Sequence, residues 1–268
     1  MNLWLALAAA FLAAAPALAQ DKSGLKRLTL RHDVLGWEAV GRVDFGRGGY
    51  CTGALIAPGL VLTAAHCVYD GNARQNPSAV RFRAGLRDGE AIAERGVARI
   101  AAHAAYRPEN GMAWENIRHD VALLELDAAI PAGVASPFRT DRPARAGARV
   151  GVVSYAAGRS DALSRQRVCG VLGADDGLMA FDCDVFFGSS GAPVFDRAVS
   201  PARIVAIISG GSRTPEGTIS FGMELPSLVA ELKDMLRTGR GVWGEAGVGR
   251  PVLRQGSDNR AAGHFVRP

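Results

Sequence analysis

The sequence of 268 residues has few lysines, few cysteines and a single long apolar run, and each shortage limits what the chain can be. Of 31 basic residues only Lys22, Lys26 and Lys233 are lysine, and the arginines are spread without a dense run, so the net charge of +5 predicts no nucleic-acid partner. The four cysteines contain no Cys-x-x-Cys spacing, so no zinc site is expected, and no residue cluster requires a metal or an organic cofactor.

The long apolar run lies at the N-terminus, between Leu3 and Leu18, and carries no charge. Ala17, Leu18 and Ala19 then form a small-x-small cleavage site, which predicts a signal peptide over residues 1–19. No later segment is long and apolar enough to span a bilayer. We therefore expect a mature chain from Gln20 that is secreted or periplasmic, leaves the membrane after signal removal and is monomeric.

Four cysteines in an exported chain predict two disulfides, for which three connectivities exist. Cys51 and Cys67 are symmetric about a Pro-Gly turn at residues 57–60, and Cys169 and Cys183 are symmetric about a turn at residues 174–177. Directly opposed residues of antiparallel strands lie within disulfide reach of each other. This spacing pairs Cys51 with Cys67 and Cys169 with Cys183.

Short β-type runs alternate with Gly, Pro and Asp turns along most of the chain, which is typical of an all-β protein. Residues 127–147 are rich in Ala, Pro, Gly and Arg and are interpreted as a linker between two β domains, at 20–137 and 138–237. Helical periodicity occurs only at residues 226–236, where Leu228, Leu232 and Met235 share a face. A flexible, glycine- and arginine-rich tail is expected over residues 238–268.

Three segments, in this order along the chain, carry the residues of a nucleophilic site: 62–67 with His66, 119–126 with Asp120, and 188–194 with Ser190. A serine hydroxyl needs an imidazole to take its proton and a carboxylate to orient that imidazole. The three segments resemble the histidine, aspartate and serine motifs of trypsin-like serine proteases of the chymotrypsin fold. Within that family the chain is most similar to bacterial trypsin-like and glutamyl-endopeptidase-like members.

The resemblance covers roughly residues 37–236 and implies two six-stranded antiparallel β-barrels with a C-terminal helix. It implies that Ser190 is the nucleophile, His66 the general base and Asp120 its orienting carboxylate. The amide groups of Gly188 and Ser190 would form the oxyanion hole. Ser209 would contact Asp120 and begin the substrate-pairing strand that continues through Gly210 and Gly211, and the substrates would be proteins or peptides.

Ser189 and Phe186 separate the chain from trypsin itself, whereas Asp184 resembles a residue of trypsin-like relatives. Ser189 stands where trypsin-type zymogens carry the aspartate that pairs with a new N-terminus, so activation of that kind is not expected. Asp184 stands six residues before Ser190, the position of a carboxylate that selects a basic P1 residue. Phe186 replaces a pocket cysteine there, which leaves open a structural role for Asp184 beside Arg159 and a preference for acidic or small apolar P1.

Two other functions remain compatible with the sequence. One is a non-catalytic binding protein of the chymotrypsin fold, although such proteins usually lose the histidine or the serine. The other is an esterase without peptidase activity.

Overall fold

The computed structural model describes residues 24–215 and 217–245, so the expected signal peptide at residues 1–19 lies outside the described residues. Within these two ranges, no helix has the length and apolar character needed to cross a membrane.

The described chain consists mainly of strands, with two α-helices and several short 3₁₀ helices. The strands are β1 (Leu25–Arg27), β2 (Val40–Asp44), β3 (Tyr50–Ala57), β4 (Leu60–Thr63), β5 (Tyr69–Asp70), β6 (Ala73–Arg74), β7 (Arg81–Ala84), β8 (Ala93–Ala102), β9 (Ala122–Leu126), β10 (Arg139–Thr140), β11 (Arg149–Ala156), β12 (Arg159–Asp175), β13 (Leu178–Phe181), β14 (Pro193–Asp196), β15 (Arg203–Thr214), β16 (Gly217–Glu224) and β17 (Trp243–Gly244). The α-helices are α1 (Trp114–Ile117) and α2 (Pro226–Thr238).

The first barrel is closed by six antiparallel strands in the order β8-β7-β2-β3-β4-β9, with β9 pairing back onto β8. Buried side chains such as Val40, Leu62, Phe82 and Leu124 fill its interior. Closure leaves no unpaired sheet edge among these six strands.

The second barrel has the same architecture, in the order β12-β11-β14-β15-β16-β13, and β13 pairs back onto β12. Val152, Phe181, Val194 and Ile208 belong to its buried core. Two closed six-stranded antiparallel barrels and a C-terminal helix confirm the predicted fold.

Both predicted disulfides are present. Cys169 and Cys183 continue the antiparallel register of β12 and β13, with Cα atoms 5.1 Å apart, as expected for opposed residues. The bond between Cys51 and Cys67 is also present, with a Cα separation of 6.3 Å, but the reasoning from a strand pair was wrong for it. Cys67 lies in the 3₁₀ helix Ala65–Val68 that follows β4, so this bridge joins that helix to β3.

Two elements cross between the predicted domains, and a third lies in the predicted linker. Strand β1 lies in the segment assigned to the first barrel but pairs with β12 of the second. Helix α2 follows the second barrel in sequence but packs against β8 and β9 of the first. The linker at 127–147 contains β10, which pairs in parallel with β15.

The predicted tail is also too long. Thr238 belongs to α2, and β17 pairs with β8 through Trp243 and Ile100. The indole nitrogen of Trp243 donates a hydrogen bond of 2.9 Å to the carbonyl of Gln75, which fixes this segment to the first barrel. Residues 246–268 lie outside the described residues.

Candidate active site

A cleft of about 660 Å³ brings together residues from the two barrels. His66 and Asp120 come from the first barrel, and Ser190, Ser209 and Gly210 come from the second; Gly211 also lines the cleft. We call this space the triad cleft. Six of the eight residues predicted from the sequence as catalytic, oxyanion-binding or substrate-binding therefore line one site.

His66 and Asp120 form the best-defined pair in the triad cleft. The Nδ1 atom of His66 lies 2.7 Å from Oδ2 of Asp120, and the backbone N–H of His66 donates to Oδ1 at 2.8 Å. An ionised carboxylate only accepts hydrogen bonds, so this contact places the ring proton on Nδ1 and leaves Nε2 as the free acceptor. The His66 side chain is 36% exposed, whereas that of Asp120 is 3% exposed.

The environment shifts both pKa values toward the ion pair. Burial is the largest influence on His66 and favours its neutral form, but the charge of Asp120 and the hydrogen bond to it together raise the pKa of His66 above 6.5. Burial of Asp120 favours its protonated form, yet the nearby His66 and the hydrogen bonds from His66 and Ser209 lower the pKa of Asp120. The carboxylate is therefore ionised at neutral pH.

Ser209 completes the environment of the carboxylate. Its hydroxyl donates a hydrogen bond of 2.5 Å to Oδ2 of Asp120. The residue lies at an irregularity of β15, where Ile208 pairs with Gly222 but Gly210 pairs with Phe221. One extra residue in a strand redirects a side chain, and this bulge accounts for the Ser209 hydroxyl pointing at the first barrel.

Ser190 lies in the turn that precedes β14. Its hydroxyl donates to the carbonyl of Ser209 at 3.4 Å. Among the described residues, it forms no hydrogen bond with His66. Hydrogen bonds between a serine and a neighbouring imidazole are often long or poorly aligned until a substrate binds, so this geometry does not argue against a pairing of the two side chains.

The loop before Ser190 has the geometry of an anion-binding turn. Gly188 has φ of +95°, and a side chain at this position would also clash with the ring of Tyr50. In the part of the chain that the structure describes, the amide groups of Gly188 and Ser190 donate to no carbonyl. Two amides without a carbonyl acceptor, on either side of a serine, are what an oxyanion hole would require.

Thr52 holds this loop from the first barrel, and sequence reasoning did not identify it. Its hydroxyl donates to the carbonyl of Gly188 at 2.9 Å and accepts from the amide of Tyr155 at 3.0 Å. Its own amide donates to the carbonyl of Ser190 at 2.8 Å. A buried threonine in a β-type run is usually a packing residue, so no sequence signal distinguishes it.

Ser189 is buried within the second barrel. Its hydroxyl accepts from the amide of Phe186 at 3.2 Å and lies 3.3 Å from both Ser154 Oγ and the carbonyl of Tyr155. The hydrogen bonds of the Ser189 hydroxyl are thus all made with neutral groups of the same barrel.

Asp184 is separated from the other predicted site residues. It lines a neighbouring space of about 730 Å³, which we call the side cavity, together with Asp182, Arg149 and Gln166. The backbone amide of Asp184 donates to Oε1 of Gln166 at 2.7 Å. Arg213 and Thr218 line both the side cavity and the triad cleft.

The rim of the triad cleft is apolar and was not predicted. Phe187 is 80% exposed and Met112 is 52% exposed, and both line the cleft. A Cβ atom placed on Gly210 would be 2.7 Å from the Cε atom of Met112, which shows that Met112 lies directly over Gly210. The absence of a side chain at position 210 therefore makes room for Met112.

One group of candidate metal ligands occurs among the described residues, formed by Cys51, His66 and Cys67. The two sulfur atoms are joined in a disulfide, and a cysteine binds a metal ion only as a thiolate. This group therefore does not fit a metal ion.

Solved structures share this fold across nearly their whole length. A Glu endopeptidase superposes with a TM-score of 0.65 at 21% identity, covering 81% of this chain and 98% of that chain. The scabies mite inactivated protease paralogue S-D1 gives a TM-score of 0.64 at 17% identity, covering 83% and 99%. Protease Anisep from Arthrobacter nicotinovorans gives 0.59 at 17% identity, covering 74% and 94%.

A sequence relative is similar over a shorter segment. Serine protease SP24D from Anopheles gambiae is 38% identical over 81 residues, which are 30% of this chain and 27% of that protein. The model of the trypsin-like peptidase domain matches residues 51–207, more than half of the chain. The chain therefore belongs to the family defined by the trypsin-like peptidase domain.

Proposed function

We propose that this protein is a secreted or periplasmic serine endopeptidase that hydrolyses peptide bonds through Ser190, His66 and Asp120. The observation that carries the proposal is the hydrogen-bonded series from Ser209 through Asp120 to His66, in the same cleft as Ser190. A buried, ionised carboxylate that orients an imidazole is the arrangement that a general base requires.

In the proposed mechanism Ser190 attacks the scissile carbonyl while Nε2 of His66 accepts the hydroxyl proton. Asp120 stabilises the imidazolium, and the amides of Gly188 and Ser190 donate to the oxyanion. His66 then gives its proton to the leaving amine, and water hydrolyses the acyl-enzyme by the same steps. The substrate backbone would pair with β15 at Gly211.

The fold alone does not decide between enzyme and binding protein, since one structural neighbour is named an inactivated protease paralogue. Labelling with an active-site phosphonate tests the proposal directly. The unmodified protein should be labelled at Ser190, and Ser190→Ala should lose both labelling and peptidase activity, with kcat lowered by roughly 10⁴-fold or more. Retained turnover in Ser190→Ala would contradict the mechanism, and cleavage of esters but not peptides would favour the esterase.

Two charged side chains of the protein are candidates for selecting the P1 residue of the substrate. A basic residue would be selected by Asp184, as the sequence position suggests, if its carboxylate could be reached through the wall between the side cavity and the triad cleft. An acidic residue would be selected by Arg213, which lines the cleft itself and lies 4.6 Å from the ring centroid of Phe186. Asp120 is already engaged by His66, and within residues 24–215 and 217–245 Arg213 forms no salt bridge. Its positive charge therefore favours the acidic alternative.

Matched peptides with Arg, Glu or Phe at P1 separate these alternatives, with Asp184→Asn and Arg213→Gln as paired variants. A preference for Glu that disappears only in Arg213→Gln supports the acidic assignment. A preference for Arg that disappears only in Asp184→Asn supports the assignment of a basic P1 residue. A preference for Phe in all three proteins assigns selection to the apolar rim.

A further inference from the structure

Three arginines of the second barrel converge on one small pocket that is separate from the triad cleft. Arg165 and Arg167 belong to β12, and Arg197 follows β14. With Trp37 and Asp196 they line a cavity of about 180 Å³, which we call the arginine pocket. None of the residues lining this pocket lines the triad cleft.

The register of β12 explains why Arg167 reaches this surface. Val150 of β11 pairs with Cys169, and Val152 pairs with Gln166, so Arg167 and Val168 together oppose the single residue Gly151. This bulge breaks the alternation of the strand. Cys169 can therefore face its disulfide partner inside the barrel, while Arg167 lies on the same outer side as Arg165.

The three guanidinium groups are not neutralised by neighbouring carboxylates. Among the described residues none of them forms a salt bridge or donates a hydrogen bond, whereas arginines such as Arg27, Arg42 and Arg99 are ion-paired.

Asp196 is the one carboxylate among the residues lining the arginine pocket, so the three arginines outnumber it by two. Asp196 accepts a hydrogen bond from the amide of Ala198 at 2.7 Å, and Asp33, whose charge also acts on Arg165, pairs with Lys26 at 3.2 Å. The arginine pocket therefore holds an excess of positive charge.

The position of Arg165 is fixed and partly desolvated. Its guanidinium lies 5.3 Å from the ring centroid of Trp37, and Trp37 in turn packs edge-on against Phe195 at 5.0 Å. Burial, together with repulsion from Arg167 and Arg197, lowers the pKa of Arg165. A cation held in place against like charges binds an anion with little loss of conformational entropy.

We propose that the arginine pocket is a binding site for a phosphate or sulfate group. Guanidinium groups match tetrahedral oxyanions through paired, charge-assisted hydrogen bonds. The cavity volume is well above the ~10–15 Å³ that holds one water, so a dehydrated oxyanion fits. The group is either a free inorganic anion or one carried on a small sugar, which could lie against Trp37.

The site also predicts a structural effect. Trp37 precedes the first barrel in sequence, while the arginines belong to the second. An anion bound among them would add contacts between the N-terminal segment and the second barrel, and a ligand that binds only the folded state raises its melting temperature.

The test is titration of the full-length chain with inorganic phosphate, sulfate and glucose 6-phosphate, followed by calorimetry and by melting temperature. Sodium chloride at equal ionic strength is the reference. We expect saturable binding of one anion per chain, and a dissociation constant raised at least about 10-fold in Arg165→Gln, Arg167→Gln and Arg197→Gln. Arg139→Gln, an exposed arginine of β10 outside the three cavities described, is the matched control and should bind as the unmodified protein does.

Arg197 lies in an exposed turn, so its variant keeps the test valid if a change in β12 impairs folding. Peptidase activity should be the same in all four variants, which makes this outcome independent of the proposed catalytic function. Tighter binding of glucose 6-phosphate than of phosphate indicates a sugar-borne group, and equal affinity indicates the free anion. The proposal is overturned if sodium chloride gives the same melting shift, or if Arg139→Gln weakens binding as much as the pocket variants.

Discussion

The hydroxyl of Thr52 donates a hydrogen bond of 2.9 Å to the carbonyl of Gly188, across the boundary between the two barrels. Thr52 is fully buried, and its backbone carbonyl accepts a hydrogen bond of 2.9 Å from the hydroxyl of Thr63 in the neighbouring strand. The loop that carries the proposed nucleophile is thus positioned by the barrel that carries the proposed base. This arrangement fixes the two halves of the site relative to each other.

Replacing Thr52 by valine should therefore lower both kcat and stability. The change leaves the carbonyl of Gly188 and the amide of Tyr155 without partners, at a cost of about 1–3 kcal/mol in the free energy of unfolding. A small displacement of the loop that carries the proposed nucleophile should reduce kcat by roughly 10–100-fold. Kinetics and urea denaturation measure the two effects.

Thr52→Ser keeps the hydroxyl and is the matched control for this prediction. It should retain most of the activity. If the valine variant has the kcat of the unmodified protein, Thr52 does not position the loop.

The pair of His66 and Asp120 predicts a particular pH dependence. A general base must be neutral, and the pKa of His66 is raised above 6.5, so kcat/KM should increase with pH through a value above 6.5. In Asp120→Asn the negative charge is gone while the burial of His66 remains. The midpoint for the residual activity should then fall below 6.5, and kcat itself should drop by roughly 10⁴-fold.

Both pKa shifts stabilise the fold, but their contributions are lost in opposite directions of pH. The raised pKa of His66 stabilises the fold fully below pH 6.5, and this contribution is lost as the pH rises through the folded-state value. The lowered pKa of Asp120 stabilises the fold above pH 3.8, and this contribution is lost as the pH falls through the folded-state value. The stability difference between the unmodified protein and Asp120→Asn should therefore be largest between pH 3.8 and 6.5. A difference that does not decrease at pH values above and below this range would contradict the ion pair.

Ser189 leads to a prediction about activation. Its hydroxyl is satisfied by Phe186, Ser154 and Tyr155, all in the second barrel, so no charged N-terminus is needed at this position. We expect the chain that starts at Gln20 and a chain with additional residues before Gln20 to have equal kcat/KM. Activity that appears only after trimming of the extended chain would show that a free N-terminus is required.

The sequence predicts the parts of this molecule that depend on local motifs. His66, Asp120, Ser190 and the cysteine pairs lie in segments whose residue types and order are distinctive, and the structure brings them to one cleft or joins them. Helix α2 follows from its apolar periodicity, and its buried residues include Leu232. Their catalytic roles stay predictions.

Structural features that depend on strand register or on contacts between distant segments could not be predicted from local sequence motifs. The resemblance implied the contact between Ser209 and Asp120, but not the bulge that produces it, which results from the pairing of β15 with β16. The exchange of β1 and α2 between the barrels results from packing. Asp184 was assigned by counting from Ser190. Such a count fixes the position along the chain, but the side chain lines whichever space the local strand geometry gives it, and that is the side cavity.

Met112 and Gly210 provide the last prediction, which concerns substrate binding. Gly210 has a φ that any residue adopts, so alanine fits the backbone at this position, but its Cβ atom would lie 2.7 Å from the Cε atom of Met112. Met112 is flexible and would move into the triad cleft or out of it. Gly210→Ala should therefore raise KM for extended peptides several-fold while kcat stays nearly unchanged, because the change affects binding more than chemistry. In Met112→Ala the obstacle is absent, so adding Gly210→Ala should have a smaller effect, and a double-mutant cycle on KM measures this coupling. Additive effects of the two substitutions would show that Met112 does not occupy the space above Gly210 in solution.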